Sequence, residues 1–277
     1  MGRVLALANQ KGGVGKTTTA VNVACDLAER GFRIHLIDLD PQGNATSSVG
    51  LDKRSVERTI YDVIVDGIDV EQAIVRDVRP GLDLIGANHL LAGAEVELTN
   101  LTRPQMRLDA ALAPVRDRYD VIIIDCPPSL GLLTVNGLAT ADDVMIPVQC
   151  EYLALEGLTQ LINTVDLVKR GLNRRLDILG LVMTMYDSRT RLAGDVVRDV
   201  ARLFPNRIFR TIVPRTVRLA EAPSHGRSIY EYDAGSRGAE AYRELGEEVA
   251  RRLGLRSPDG HATGSPADGE SVAASKD

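Results

Sequence analysis

Short apolar runs alternate with longer segments whose apolar positions recur at helical spacing, from the first residues almost to the end of the chain. Runs at 4–8, 33–37, 82–85, 121–124, 144–148, 178–183 and 208–213 are predicted strands, and several are apolar without interruption. A strand has that character when both its faces are covered, as in a parallel sheet flanked by helices. Between the runs, the spacing predicts helices over 16–30, 55–65, 90–118, 155–170, 191–203 and 234–253. Such alternation implies an α/β fold: a mostly parallel twisted sheet with helices on both faces and right-handed crossovers. The last predicted helix carries Tyr242, Leu245, Val249 and Leu253 as a stripe, expected to dock on the body of the domain. Residues 1–255 are expected to form one domain. Residues 256–277 are rich in Ser, Gly, Ala, Pro and Asp, with Val272 the one sizeable apolar residue. Such a segment buries too little surface to offset the entropy of ordering, so a disordered polar tail is expected.

Composition narrows the classes. The chain is 277 residues long, 44% hydrophobic and 26% charged, within the range of soluble globular proteins. Its net charge is -5, so any contact with nucleic acid has to come from a local basic patch. Trp is absent and aromatics make up 4%, which argues against stacking platforms for single strands. Cys25, Cys126 and Cys150 form neither a CxxC pair nor a zinc set, and are expected to be buried thiols in a reducing compartment. The first apolar run is too short for a signal peptide, and no run is long enough to cross a bilayer. A cytoplasmic protein is expected.

The strongest chemical signal is Lys11-Gly12-Gly13-Val14-Gly15-Lys16-Thr17-Thr18, placed between the first strand and a helix. Glycines there let backbone N–H groups converge on phosphates, and the helix beginning near Lys16 adds its positive end. Lys16 is expected to reach the β- and γ-phosphates and the Thr17 hydroxyl to ligate Mg2+. The usual phosphate loop would need Gly at position 10, where this chain has Gln10; it carries instead an additional lysine, Lys11. Two acidic stretches accompany the loop. Asp38 and Asp40 follow the second strand, and Asp125 ends the apolar run Val121-Ile122-Ile123-Ile124. Carboxylates at the C-terminal ends of parallel strands lie where such sheets collect ligands.

With the K-G-G-x-G-K-T signature, the chain resembles the ParA/MinD family of P-loop ATPases, which carry the deviant Walker A motif. The resemblance runs from the first strand to about Gly254 and is strongest toward the ParA/Soj partitioning ATPases. It is carried also by 38–48, 125–133, 183–190, Val213-Pro214-Arg215 and 217–226. It implies ATP and Mg2+ as ligands and ATP hydrolysis as the activity. Lys11 would act across a homodimer interface on the partner's nucleotide, Asp40 would position the attacking water with Asp38 in support, and Asp125 would hold the Mg2+ shell through water. Asp40 is itself a possible metal ligand. Asp187 and Pro214 would lie near the adenine. The ATP dimer would bind double-stranded DNA without sequence preference through Arg189 and Arg218, joined by Arg215, Arg227, Arg251 and Arg252. A ParB-type partner would stimulate hydrolysis and release the protein from the nucleoid. Two alternatives stay open: a ParA-like ATPase that positions another cargo, and a MinD-like ATPase of division-site placement. The polar end of the chain has no apolar face to sit on a membrane.

Overall fold

The computed structural model describes residues 2–151 and 154–256, with no side-chain description for 154–156. The expected tail, apart from Arg256, lies outside the described residues. Strands β1 (Arg3–Leu7), β2 (Ile34–Asp38), β3 (Ile74–Arg79), β4 (Leu82–Ile85), β5 (Val121–Asp125), β6 (Asp143–Gln149), β7 (Asp177–Tyr186) and β8 (Ile208–Pro214) form one eight-stranded sheet. Their spatial order is β3-β4-β2-β5-β1-β6-β7-β8, and every pairing is parallel except β3 with β4. The helices are α1 (Lys16–Glu29), α2 (Asn44–Ser48), α3 (Ala94–Leu98), α4 (Arg107–Leu112), α5 (Leu132–Thr140), α6 (Ala154–Gly171), α7 (Arg191–Leu203), α8 (Val217–Glu221), α9 (Ile229–Asp233) and α10 (Arg237–Leu253).

Central strands are buried along their whole length because alternate side chains feed separate cores. Val4 and Ala6 of β1, with Ile122 and Ile124 of β5, face the core covered by α3 to α7. Leu5 and Leu7, with Val121 and Ile123, face the one covered by α1 and α10. The predicted stripe of α10 is buried there, Tyr242, Leu245 and Val249 almost completely. The three-layer α/β/α architecture expected from the sequence is therefore present.

Three local expectations are corrected. The predicted helix over 90–118 is broken into α3, α4 and short 3-10 turns, because Pro104 lacks an N–H and cannot continue a helix. The predicted helix over 55–65 reduces to a wide turn at Asp62–Asp66, preceded by a loop in which Asp62 accepts from Thr59 N (2.8 Å), and stopped by Gly67 at φ 73°. Helix α10 starts at Arg237 rather than at 234, where Ser236 accepts from Ala239 N and caps it. Strand β3 has no counterpart among the predicted elements. It is an antiparallel edge strand with a register irregularity and alternating charge, which hides its period.

Candidate active site

All parallel strands point their C-terminal ends the same way, and β1 is central, so the loop after it opens at the middle of that edge. Gly13 (φ 73°) and Gly15 (φ 88°) take left-handed conformations, the kind that lets successive amides converge on an anion, and a Cβ on Gly13 would meet nothing within 4 Å. Helix α1 begins at Lys16 with Gly15 at its cap. The loop borders a cleft of about 740 Å³ whose wall includes Gly12, Gly13, Lys16, Thr17, Thr18 and Asp40. Its other wall is mostly apolar: Val213, Pro214, Leu219, Ala220 and Pro223, with Met185 held at φ 52°. A phosphate cradle at one end and an apolar slot at the other suit a nucleotide.

The electrostatics suit a bound cation. Asp38 and Asp125 are neighbours across the β2–β5 ladder and both are wholly buried. Asp125 Oδ2 accepts from the Thr17 hydroxyl at 2.6 Å, while its buried Oδ1 has no partner. Burial, reinforced by the charge of Asp38, holds the Asp125 carboxyl well above the usual carboxylate range. Burial likewise pushes Asp38 up to about 6, although it accepts from Thr46 N (2.8 Å), Thr46 Oγ1 (2.7 Å) and Asp40 N (3.2 Å). Lys16 is buried too; desolvation lowers its pKa against the opposing pull of Asp125, and Nζ donates to the Lys11 carbonyl at 3.1 Å. One buried ammonium stands beside buried carboxylates that desolvation and mutual repulsion hold toward the neutral form, and a divalent cation there would favour their ionised form. Among the described residues no group of His, Cys, Asp or Glu side chains could hold a metal by itself. The Thr17 hydroxyl beside the partnerless Oδ1 of Asp125 fits Mg2+, which typically takes one or two protein oxygens and completes its shell with phosphate and water. Thr17 Oγ1 and, through water, Asp125 are the groups that would hold it.

The structure sorts the expected site residues. Lys11, Lys16, Thr17, Asp38, Asp40 and Asp125 gather at the loop, with Asp40 Oδ1 accepting from Gln42 N at 2.9 Å. Lys11 Nζ turns toward Glu151 Oε2 (3.3 Å), and Arg215 approaches the other oxygen of that carboxylate, Oε1 (3.3 Å). Pro214 lines the cleft; Asp187 does not, and its carboxylate is bound by Arg189 (2.7 and 2.9 Å), which holds it down to about 2. Arg189, Arg215 and Arg218 follow β7 and β8 on the same edge as the cleft, and their side chains are mostly exposed. Arg227 is exposed in the connection between α8 and α9.

Arg251 and Arg252 are at the end of α10, and Arg252 donates to the carbonyls of Leu179 (2.9 Å) and Ile208 (2.6 Å) at the starts of β7 and β8. That is the opposite edge of the sheet, so these two do not join the others. Sequence reasoning missed Glu151, Thr46, Asn22 and the slot residues Leu219 and Pro223. Thr46, Leu219 and Pro223 lie in stretches that carry the resemblance but have no charge or spacing that marks them singly, while Glu151 and Asn22 act through contacts with distant segments.

Comparison with known proteins agrees with this geometry. A family model described as an AAA domain matches residues 2–178. Sporulation initiation inhibitor protein Soj of Bacillus subtilis is 54% identical over 250 residues, covering 90% of this chain and 99% of Soj. Chromosome partitioning protein ParA of Myxococcus xanthus is 49% identical over 258 residues, covering 93% and 91%. A Mycobacterium smegmatis structure described as cobyrinic acid a,c-diamide synthase with bound ADP and magnesium has a TM-score of 0.81 at 41% identity, covering 93% and 98%. Loop, cleft and fold thus define a P-loop ATPase with the doubled lysine of the deviant Walker A motif. Within that class the chain belongs to the ParA/Soj family of chromosome-partitioning ATPases.

Proposed function

We propose that this protein hydrolyses ATP with Mg2+ as a nucleotide-dependent homodimer, and that the ATP dimer holds nucleoid DNA until a ParB-type partner triggers its release. The observation that carries this reading is the pair of lysines with different surroundings. Lys16 is buried against Asp125 inside its own cleft, whereas Lys11, one-third exposed, points out of it toward Glu151. An ammonium that does not face its own phosphates is free to serve those of a second copy, where it stabilises charge developing in the transition state.

Within one protomer the amides of Gly12 to Thr17 would bind the phosphates, and Lys16 would leave the Lys11 carbonyl to pair with them. Magnesium, when bound, neutralises charge on the phosphate oxygens. Asp40 lines the cleft, and its carboxylate would orient the attacking water. Asp38 acts indirectly: through Thr46 it fixes α2, and with it the chain that presents Asp40. Arg189, Arg215, Arg218 and Arg227 would meet DNA phosphates on the cleft edge, a contact doubled by dimerisation. Arg251 and Arg252 are left out of this set by their position. No helix of the described residues is long and apolar enough to cross a membrane.

The test is the ATPase rate of purified protein alone, with duplex DNA, and with DNA plus a cognate ParB, beside sedimentation with a non-hydrolysable analogue and Mg2+. Stimulation by DNA and ParB together and an analogue-dependent dimer are expected. A monomer that turns over at full rate, indifferent to both additions, would refute the reading.

A further inference from the structure

Arg79 ends β3, and its guanidinium joins segments far apart in the chain. Nη1 donates to the Val49 carbonyl at 2.9 Å; Nη2 donates to the Gly226 carbonyl at 3.0 Å and to Glu231 Oε2 at 3.0 Å. Val49 caps α2, whose Asn44, Ser47 and Ser48 line the nucleotide cleft. Gly226 closes the turn after α8, which carries Arg218. Backbone meets backbone here. A Cβ on Gly226 would come within 2.6 Å of Gly50 Cα, and both glycines have left-handed φ, 61° and 86°. No side chain fits at that contact.

The segment 217–233 is braced internally. Arg218 pairs with Glu221 (3.1 Å) and Asp233 (3.3 Å), and Tyr232 donates to Glu221 at 3.0 Å. Ser228 and Glu231 form a reciprocal cap at the start of α9. The segment is also tied to the phosphate loop, since Ile229 N donates to Asn22 Oδ1 (2.8 Å) and Asn22 Nδ2 donates to Thr18 O (2.7 Å). It should therefore move as one piece. The Arg79 side chain is only 21% exposed, and a planar fork bonded to acceptors on both segments sets their orientation as well as their distance.

We propose that Arg79 is a positioning residue that transmits the state of the nucleotide cleft from α2 to the segment 217–227. A shift of α2 moves the Val49 carbonyl, and through the guanidinium the Gly226 carbonyl and α8 move with it. As far as it concerns DNA, the proposal rests on the function proposed above; the coupling itself does not.

The experiment is hydrogen exchange of the full chain with ADP and with a non-hydrolysable ATP analogue, each with Mg2+. Wild type, Arg79→Met, Arg79→Lys and Glu231→Gln are compared. In wild type the analogue slows exchange both in 38–49 and in 217–227. In Arg79→Met the protection of 38–49 persists, and that of 217–227 falls at least fivefold. Arg79→Lys keeps the charge but loses the fork, and gives the same loss should the methionine variant be too unstable to measure. Glu231→Gln leaves the bridge between the carbonyls and retains at least half of the protection. The proposal is overturned if wild type shows no change in 217–227, or if the arginine variants transmit it fully. It is equally overturned if Glu231→Gln abolishes it as completely, since general loosening would then be the cause. In parallel, the ratio of duplex affinities between analogue and ADP states should fall toward one in Arg79→Met. A wild type that binds no duplex in either state would sink the DNA reading, while the exchange data would still decide the role of Arg79.

Discussion

Replacing Arg252 by alanine separates a structural arginine from a DNA-binding one. Its guanidinium contacts Glu248 Oε1 through Nε (3.1 Å) and Nη2 (2.8 Å), bonds the carbonyls of Leu179 and Ile208, and stacks 4.0 Å from the centre of the Phe209 ring. Glu248 is 4% exposed, and it also accepts from Arg210 N (2.9 Å) and Thr211 N (3.2 Å) of edge strand β8. Removing the cation leaves a buried carboxylate without its counter-charge, a change that costs about 3–5 kcal/mol. Losing the stacked plane on Phe209 adds about 0.5–1 kcal/mol. Arg252 is partly exposed (21%), so the lower end applies. A loss of about 3 kcal/mol corresponds to a fall in Tm of about 6–12 °C for a domain of this size. Thermal unfolding by circular dichroism measures it, with Arg251→Ala as an exposed neighbour expected to change stability by no more than about 0.5 kcal/mol. A phosphate contact would behave differently: Tm would hold while the salt dependence of duplex binding dropped by about one unit of slope. That second pattern would refute the reasoning.

Further expectations concern the cleft and the core. Lys16→Ala should abolish ATP binding in a calorimetric titration, because no other ammonium is buried at the loop. Lys11→Ala should keep nucleotide affinity and lose the analogue-dependent dimer in sedimentation; a normal dimer there contradicts a role across the interface. Asp40→Ala should bind ATP and form a persistent DNA-bound dimer, with turnover lowered by about a hundredfold or more, the usual scale for general base catalysis. His35 is wholly buried against Tyr119 with neither ring nitrogen bonded, and burial lowers its pKa to about 3, with Asp83 opposing and Arg76 assisting. The unfolded chain therefore takes the proton first. The stability tied to a neutral His35 is complete above about pH 6.5 and declines as pH falls toward 3, by up to about 1.4 kcal/mol per pH unit. In urea unfolding at pH 7, 6 and 5, the stability of wild type relative to His35→Leu should fall with each step down in pH; a constant difference would show that His35 does not titrate on unfolding.

Much of the site was legible because its geometry is local. Gly13 and Gly15 encode left-handed turns in their own residues, and Lys16 and Thr17 follow in the same turn of chain, so the pattern of adjacent letters is also a pattern in space. Asp38 and Asp125 could be placed because each ends an apolar run, and parallel strands bring their ends together. The arginines show the limit. All six are equally basic in the sequence, but Arg189, Arg215, Arg218 and Arg227 follow strand ends on the cleft edge, while Arg252 is consumed by Glu248 and the carbonyls at the far edge.

Periodicity, glycine placement and apolar runs determined the class of fold and the identity of the phosphate loop, because these depend on backbone preferences and burial within a few residues of each other. What only the tertiary structure decided is which polar groups meet across long stretches of chain. Glu151 faces Lys11, Glu248 seals the edge of β8, and Arg79 binds α2 to the turn before α9. Each of these contacts is set by the packing of whole layers, and a side chain carries no mark in the sequence of the partner that packing will bring to it.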